Sequence, residues 1–290
     1  MPEFLTTKEL AALLRIKERK VYDLAASGQV PCSKALGKLL FPRKAIDAWL
    51  AENSSGATPA VRNDLPNLFL GSHDPLLEWA LRESGCGIAT FFDSSADGLS
   101  RFADGGGIAT GLHLYHAEDD CWNVAEVRAV SAGRPAVLIE WARRQRGLIV
   151  AENQRNTIRA LPDLSGKRFQ PRQPQAGAQR LFEAIAARDG LAMEQLDLTP
   201  PALSEADAAL SVLEGRTDAA FGLETCARQY RLPFVPVITE RFDILVDRRA
   251  YFEPPLQKLL AFCGSEAFAR RADELIGYDI SGFGTVHFNA

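Results

Sequence analysis

Three serines close two apolar runs in a way that could hold an oxyanion. Ser72 follows Leu68-Phe69-Leu70-Gly71, and Ser94 and Ser95 follow Gly87-Ile88-Ala89-Thr90-Phe91-Phe92 through Asp93. A helical stretch comes next each time, so hydroxyls and the free N–H groups of a helix start are expected at the carboxyl end of a strand, where open α/β sheets bind ligands. Serine is also a preferred N-cap, and each of the three could equally do no more than cap its helix. A second concentration of chemistry lies at the front of the chain. Lys17, Arg19 and Lys20 crowd one short helical stretch, and Lys34 and Lys38 lie near a Gly37-Lys38 turn. Residues 1–53 carry a net charge of +3 and the remainder −7, so only the front suits a polyanion.

Other chemistries find little support. His73, His113, His116 and Cys121 lack the pair spacings that close a tetrahedral zinc site, so no metal is expected. His113, at a strand end, and His116, three residues on, are candidates for a cleft rim. No Gly-Lys-Ser/Thr follows Gly105-Gly106-Gly107, no Gly-x-Ser-x-Gly elbow occurs, and spacing alone places no carboxylate pair. No catalytic residue and no covalent cofactor are therefore expected, and the chain is not expected to be an enzyme; Cys121 and Cys226 are the only loose candidates for a reactive side chain. The five cysteines are scattered and odd in number, which fits reduced thiols in the cytoplasm better than a disulfide framework. No uncharged apolar run approaches the roughly 20 residues needed to cross a bilayer, so no membrane partner is expected.

The elements that must position these residues fall into two groups. In the front group Thr6 or Thr7 can cap a helix ending near Leu14, with Glu9 completing a capping box and Leu10, Leu13 and Leu14 forming one apolar stripe. Arg15-Ile16-Lys17 makes a turn, Lys17 to Ala26 a second helix with Val21 and Leu24 inward, and Gly28 a left-handed stop. Cys32 to Phe41 reads as a hairpin, and Arg43 to Leu50 as a third helix contributing Ile46, Trp49 and Leu50 to a small core. Residues 54–65, mixing Ser, Gly and Pro, read as a linker. From 66 to 290 short apolar runs alternate with helical stretches, which predicts an α/β unit with a mostly parallel sheet. Strands are expected at Leu68–Gly71, Gly87–Phe92, Gly107–His113 and Gly147–Val150, with helices at Leu76–Ser84, Asp97–Ala103 and Ser204–Leu213. Trp79, Trp122 and Trp141 are expected in its core.

Residues 1–53, about one sixth of the chain, resemble the excisionase-type, MerR-like winged helix-turn-helix through Leu5, Thr6, Glu9, Ala11, Leu14, Val21, Tyr22, Gly28, Pro31, Gly37, Phe41, Trp49 and Leu50. The resemblance implies a second helix in the major groove of double-stranded DNA and a wing on the flanking backbone. Thr7, Lys17, Arg19, Lys20, Tyr22, Lys34 and Lys38 are then the DNA-binding candidates. The family often has small polar residues where this chain has Lys17-Glu18-Arg19-Lys20, so phosphate contact is the safer expectation.

Residues 66–290 resemble a type 2 periplasmic-binding-protein fold, in particular the molybdate-binding-like domain found fused behind such helix-turn-helix modules. The words that carry this are Gly71-Ser72-His73-Asp74-Pro75, Asp93-Ser94-Ser95, His113-Leu114, Arg146 to Val150, Leu161 to Leu164, Arg168-Phe169, Arg172-Gln173, Glu214 to Ala219 and Glu240-Arg241-Phe242-Asp243. By resemblance one lobe comprises about 66–145 and 240–290 and the other about 146–239. The cleft between them would be lined by Ser72, His73, Ser94, Ser95, His113, Arg172, Gln173, Gly177, Ala178, Arg180, Glu224, Thr225 and Arg241. A carboxylate at 224 would repel a bare dianion, so either Glu224 points away or the ligand carries hydrogen-bond donors. The resemblance implies a one-component transcriptional regulator, acting as a homodimer or homotetramer. Its effector would be molybdate, tungstate or a molybdopterin-type cofactor, and lobe closure would change DNA affinity. The alternative is a cytosolic small-molecule binding or storage protein whose head docks to another protein.

Overall fold

The computed structural model describes residues 4–35, 37–52, 65–131 and 134–290. They form two compact units, the second beginning at Leu65. The expected linker, 54–65, lies outside the described residues apart from Leu65.

The first unit runs β1 (Phe4–Thr6), α1 (Thr7–Leu14), α2 (Glu18–Ala26), β2 (Ser33–Ala35), β3 (Lys38–Pro42) and α3 (Arg43–Glu52). Thr6 is the cap that starts α1: its Oγ accepts from the Glu9 N–H at 3.3 Å, while the Glu9 carboxylate accepts from the Thr6 N–H at 2.8 Å. Arg15 adopts a left-handed conformation to end α1, and Gly28 does so just beyond α2. The strand β1 was not expected from the sequence; it pairs antiparallel with β3, setting Leu5 opposite Phe41. That pairing places Leu5 in a core with Leu10, Ala11, Val21, Val30, Phe41 and Ile46, against which Leu14, Ile16, Leu24, Trp49 and Leu50 pack. Two helices, a two-stranded wing and a closing helix result.

The second unit begins with β4 (Leu68–Gly71), α4 (Pro75–Glu83), β5 (Ala89–Phe92), α5 (Ser95–Ala103) and β6 (Ala109–Leu112). A small hairpin, β7 (Tyr115–His116) and β8 (Cys121–Trp122), precedes α6 (Val124–Val130) and the long β9 (Ala136–Val150). Next come β10 (Arg168–Gln170), α7 (Gly177–Arg188), β11 (Asp197–Leu198), α8 (Glu205–Leu213), β12 (Ala219–Leu223) and α9 (Glu224–Gln229). The chain returns through β13 (Phe234–Asp247) to α10 (Pro254–Cys263), α11 (Glu266–Glu274), β14 (Tyr278–Asp279) and β15 (Val286–Asn289).

One sheet runs through the unit in the order β11-β10-β12-β9-β13-β6-β4-β5. Its two outer parts are parallel, as expected, but the middle is not: along β12, β9, β13 and β6 each strand is antiparallel to the next. The sequence suggested a strand only at Gly147–Val150, whereas β9 starts at Ala136. Charged residues from Glu140 to Arg146 disguise it, because several of them are buried side chains of the strand itself.

Apolar packing separates on either side of the middle of β9 and β13. Phe69, Leu76, Leu77, Trp141, Phe242, Leu256 and Phe268 belong to one core, with Trp79 packed against it; Leu148, Val150, Phe169, Leu181, Phe182 and Phe221 belong to another. Trp122 joins the second core and Tyr115 packs on it, although both precede β9 in a stretch expected to belong wholly to the first lobe. The hairpin β7–β8 therefore leaves one lobe and plugs into the other.

Candidate functional site

Where β9 and β13 pass between the lobes, their pairing sets Arg144 opposite Glu240 and Arg146 opposite Ile238. Side chains two apart on a strand share a face, so Arg144, Arg146 and Glu240 converge. Glu240 is fully buried and accepts from Arg146 Nε at 2.8 Å and Nη2 at 2.9 Å, a two-point grip. Its other neighbour is Arg144, which stacks on the Phe242 ring at 4.4 Å.

The chain of charges continues into both lobes. In the first, Arg144 Nη1 donates to Asp74 at 2.8 Å. Asp74 is the N-cap of α4, followed by Pro75 in the first turn, and it accepts from the Leu77 N–H at 2.8 Å, from the Trp141 indole at 3.1 Å and from the Tyr278 hydroxyl at 2.6 Å. Burial, and then the Asp74 carboxylate, hold the Tyr278 phenol well above its ordinary pKa, so it stays a donor. In the second lobe Arg146 Nη1 donates to Glu205 at 2.8 Å, and Arg172 lies 3.3 Å from the same oxygen. Three guanidiniums thus meet three carboxylates. Burial alone would raise the pKa of Glu240, but Arg144 and Arg146 overcome it and hold the carboxyl well below the usual range. Glu205 is lowered in the same way, against its burial, by Arg146 and Arg172.

His113 sits beside this network, its Nδ1 3.2 Å from Glu240. Burial lowers its pKa despite that carboxylate, which favours the neutral ring. The start of α7 from the other lobe presses on it: a Cβ added at Gly177 would lie 2.8 Å from His113 Cε1. Only glycine admits the ring there, and the positive end of a helix dipole also favours a neutral imidazole. Ser95 is fully buried, its Oγ accepting from the His113 N–H at 3.1 Å and sharing a hydrogen bond of 2.7 Å with Ser72. Ser94 is instead spent on α5, capping the Asp97 N–H at 3.1 Å and donating to the Asp97 carboxylate at 2.7 Å.

A cavity of about 450 Å³ opens beside the His113–Gly177 contact. Ala96, Leu99, Leu114, Ala129 and Val130 give it apolar walls, and Tyr115, Glu126 and Arg180 border it. The Glu126 Oε2 atom is shielded from solvent and has no hydrogen-bond partner. Arg180 extends into solvent from α7.

The remaining expected ligand residues lie elsewhere or are otherwise engaged. Arg172 donates to the Ala202 and Leu203 carbonyls at 3.1 Å each. Arg241 pairs with Asp243 and donates to the Trp122 carbonyl at 2.8 Å. Gln173 is exposed, Ala178 is buried behind Gly177, and Thr225 is half-buried. Glu224 accepts from Arg228 at 2.7 Å, turned along its own helix. His73 is exposed and bonds Glu78 at 3.0 Å. Asp74, Arg144, Arg146, Glu205, Glu240 and Tyr278 were missed as a group. The one signal was arginine at two alternate positions inside an otherwise buried run.

Neither loose thiol candidate is activated. Burial pushes Cys226 up to about 12 and raises Cys121 as well.

On the first unit, Lys17, Arg19, Lys20, Tyr22, Lys34 and Lys38 are all exposed, and the five basic residues make no ion pair among the described residues. Lys17 caps α2, and Arg19, Lys20 and Tyr22 lie within its first turns. Thr7 is buried in the first turn of α1.

Comparison with known proteins gives the two units separate kinships. The family described as a PBP superfamily domain matches residues 78–264, and the one described as a helix-turn-helix domain matches residues 4–54. The uncharacterized protein YvgK of Bacillus subtilis (strain 168) is 24% identical over 295 residues, covering 94% of each chain. Among solved structures, a histidine kinase sensor domain with similarity to periplasmic binding proteins is 15% identical, with a TM-score of 0.47, over 73% of this chain and 96% of its own. An ancestral arginine-binding protein bound to arginine is 13% identical, with a TM-score of 0.47, over 72% of this chain and 97% of its own.

Proposed function

Because this chain belongs to the PBP superfamily and carries a helix-turn-helix domain at its front, we propose that it is a ligand-responsive transcriptional regulator of the cytoplasm. The observation that carries this reading is the cavity between the lobes, lined from both sides and bordered by the His113–Gly177 contact. A ligand there touches α5 and α6 of one lobe and α7 of the other, so its affinity depends on how far apart the lobes stand. Coupling of about 1–3 kcal/mol between effector and DNA is the usual size of such an effect.

The effector we propose is a small molecule with an apolar body that carries both a hydrogen-bond donor and an anionic group. The donor would meet the unpartnered Glu126 oxygen and the anion the exposed Arg180. A bare dianion such as molybdate or tungstate is less well matched, since each buried guanidinium of the hinge already faces a carboxylate. A pterin or a zwitterionic amino acid offers the required mixture. For the DNA side, Lys17, Arg19, Lys20, Lys34 and Lys38 would neutralise phosphates, and a homodimer or homotetramer would present paired heads.

The test has two arms on the full chain. A thermal-shift screen of amino acids, pterins, small carboxylates, molybdate, tungstate and sulfate looks for the gain of about 2.7 kcal/mol expected at 100 times the dissociation constant. Fluorescence anisotropy on the promoter DNA then reads affinity with and without each hit. Absence of DNA binding at low salt, in every ligand condition, would sink the regulator reading; stabilisation by molybdate alone would sink the effector class.

A further inference from the structure

We propose that the hairpin β7–β8 is a binding site for one divalent metal ion of the zinc class, held by His116, Asp119 and Cys121. The strand pairing sets His116 directly opposite Cys121, and Asp119 lies in the turn that joins them. One ligand atom from each, an imidazole nitrogen, a carboxylate oxygen and a thiol sulfur, lies within 4.8 Å of the other two. Zinc bonds such atoms at about 2.0–2.3 Å in a tetrahedron, which needs them roughly 3–4 Å apart, within reach of small side-chain rotations. His116 Nδ1 already stands 3.3 Å from Asp119 Oδ2, yet it is shielded from solvent and makes no hydrogen bond. A metal ion would satisfy it.

The turn itself is held in shape. Asp120 takes a left-handed conformation and its carboxylate accepts from the Tyr115 hydroxyl at 2.8 Å, while Asp119 is the turn carboxylate that stands against His116. The mixed donor set of nitrogen, oxygen and sulfur suits zinc or cobalt rather than magnesium or calcium. Three protein ligands leave a fourth position open. The spacing escapes sequence patterns because no two ligands form a familiar pair; the hairpin register supplies the proximity.

The consequence lies in what the hairpin connects. Trp122, adjacent to Cys121, is buried in the core of the second lobe, and the Tyr115 ring packs on it with centroids 5.0 Å apart. The hairpin is a strap between lobes, and an ion at its tip would fix the strap's geometry. The site stands independently of the effector reading.

The experiment titrates reduced, full-length protein with Co²⁺ and follows absorbance, then displaces it with Zn²⁺. One Co²⁺ per chain with a thiolate charge-transfer band is expected. Cys121→Ser abolishes the band, while His116→Ala and Asp119→Asn weaken binding by about tenfold or more. The His116 and Asp119 side chains are 33% and 70% exposed, so the metal-free variants should melt like the parent and any loss reports coordination. Absence of the band, its survival in Cys121→Ser, or its loss only in a Cys32→Ser control would overturn the assignment.

Discussion

Glu240→Gln is the substitution that most directly interrogates the hinge. The side chain keeps its size but loses the charge that Arg144 and Arg146 share, leaving Arg144 with Asp74 and Arg146 with Glu205. Both guanidiniums are 1% exposed, so solvent cannot replace what is removed. Breaking one partner out of a buried ion pair costs about 3–5 kcal/mol. For a unit of this size each kcal/mol moves the melting temperature by about 2–4 °C, so a fall of about 6–20 °C is expected by calorimetry at neutral pH. The pH dependence supplies a second reading. The folded pKa of Glu240 lies below its ordinary 4.5, so its contribution is fully present above that value and is lost as pH falls through the folded one. The gap in melting temperature between parent and variant should therefore narrow below about pH 4.5. A variant that melts within about 2 °C of the parent at pH 7, or a gap that widens on acidification, would refute the picture of a charge-balanced hinge.

Three further outcomes follow from the same geometry. Ser95→Ala strips the buried His113 N–H of its acceptor and should cost about 1–3 kcal/mol in urea melts, whereas Ser94→Ala removes only a helix cap and should cost about 1 kcal/mol. Lys17→Ala, Arg19→Ala and Lys20→Ala should each weaken DNA binding uniformly across sequences, lowering the slope of log affinity against log salt by about 1 per phosphate contact; an unchanged slope in all three would place the DNA surface elsewhere. Arg180→Ala should weaken effector binding about tenfold in calorimetric titration while leaving the unfolding free energy of the free protein within about 0.5 kcal/mol of its parent value, because the side chain is exposed.

Much of the architecture was legible because it rests on local rules. Thr6 with Glu9, Gly28, the Gly37 turn, Asp74-Pro75 and Ser204 are caps and stops whose chemistry acts over three or four residues, and the helices beside them begin or end within a residue or two of expectation. Leu68–Gly71 was read to the residue, its short apolar run being that of a strand buried on both faces. The serine-bearing turns were legible as positions and not as roles: Ser94 caps, whereas Ser95 and Ser72 bond each other beneath His113.

What the sequence determined by itself is the three helices and wing of the head, the first strands and helices of the second unit, and the split between a basic head and an acidic body, because composition, capping and short apolar periods are properties of adjacent residues. Tertiary structure alone decided that Asp74, Arg144, Arg146, Glu205 and Glu240 form one buried chain of charge, and that Trp122 leaves its own lobe for the other. A charged residue inside a strand reads as exposed until its partner is known. Here Arg146 and Glu240 lie 94 residues apart in the chain and are brought together by the register of β9 on β13.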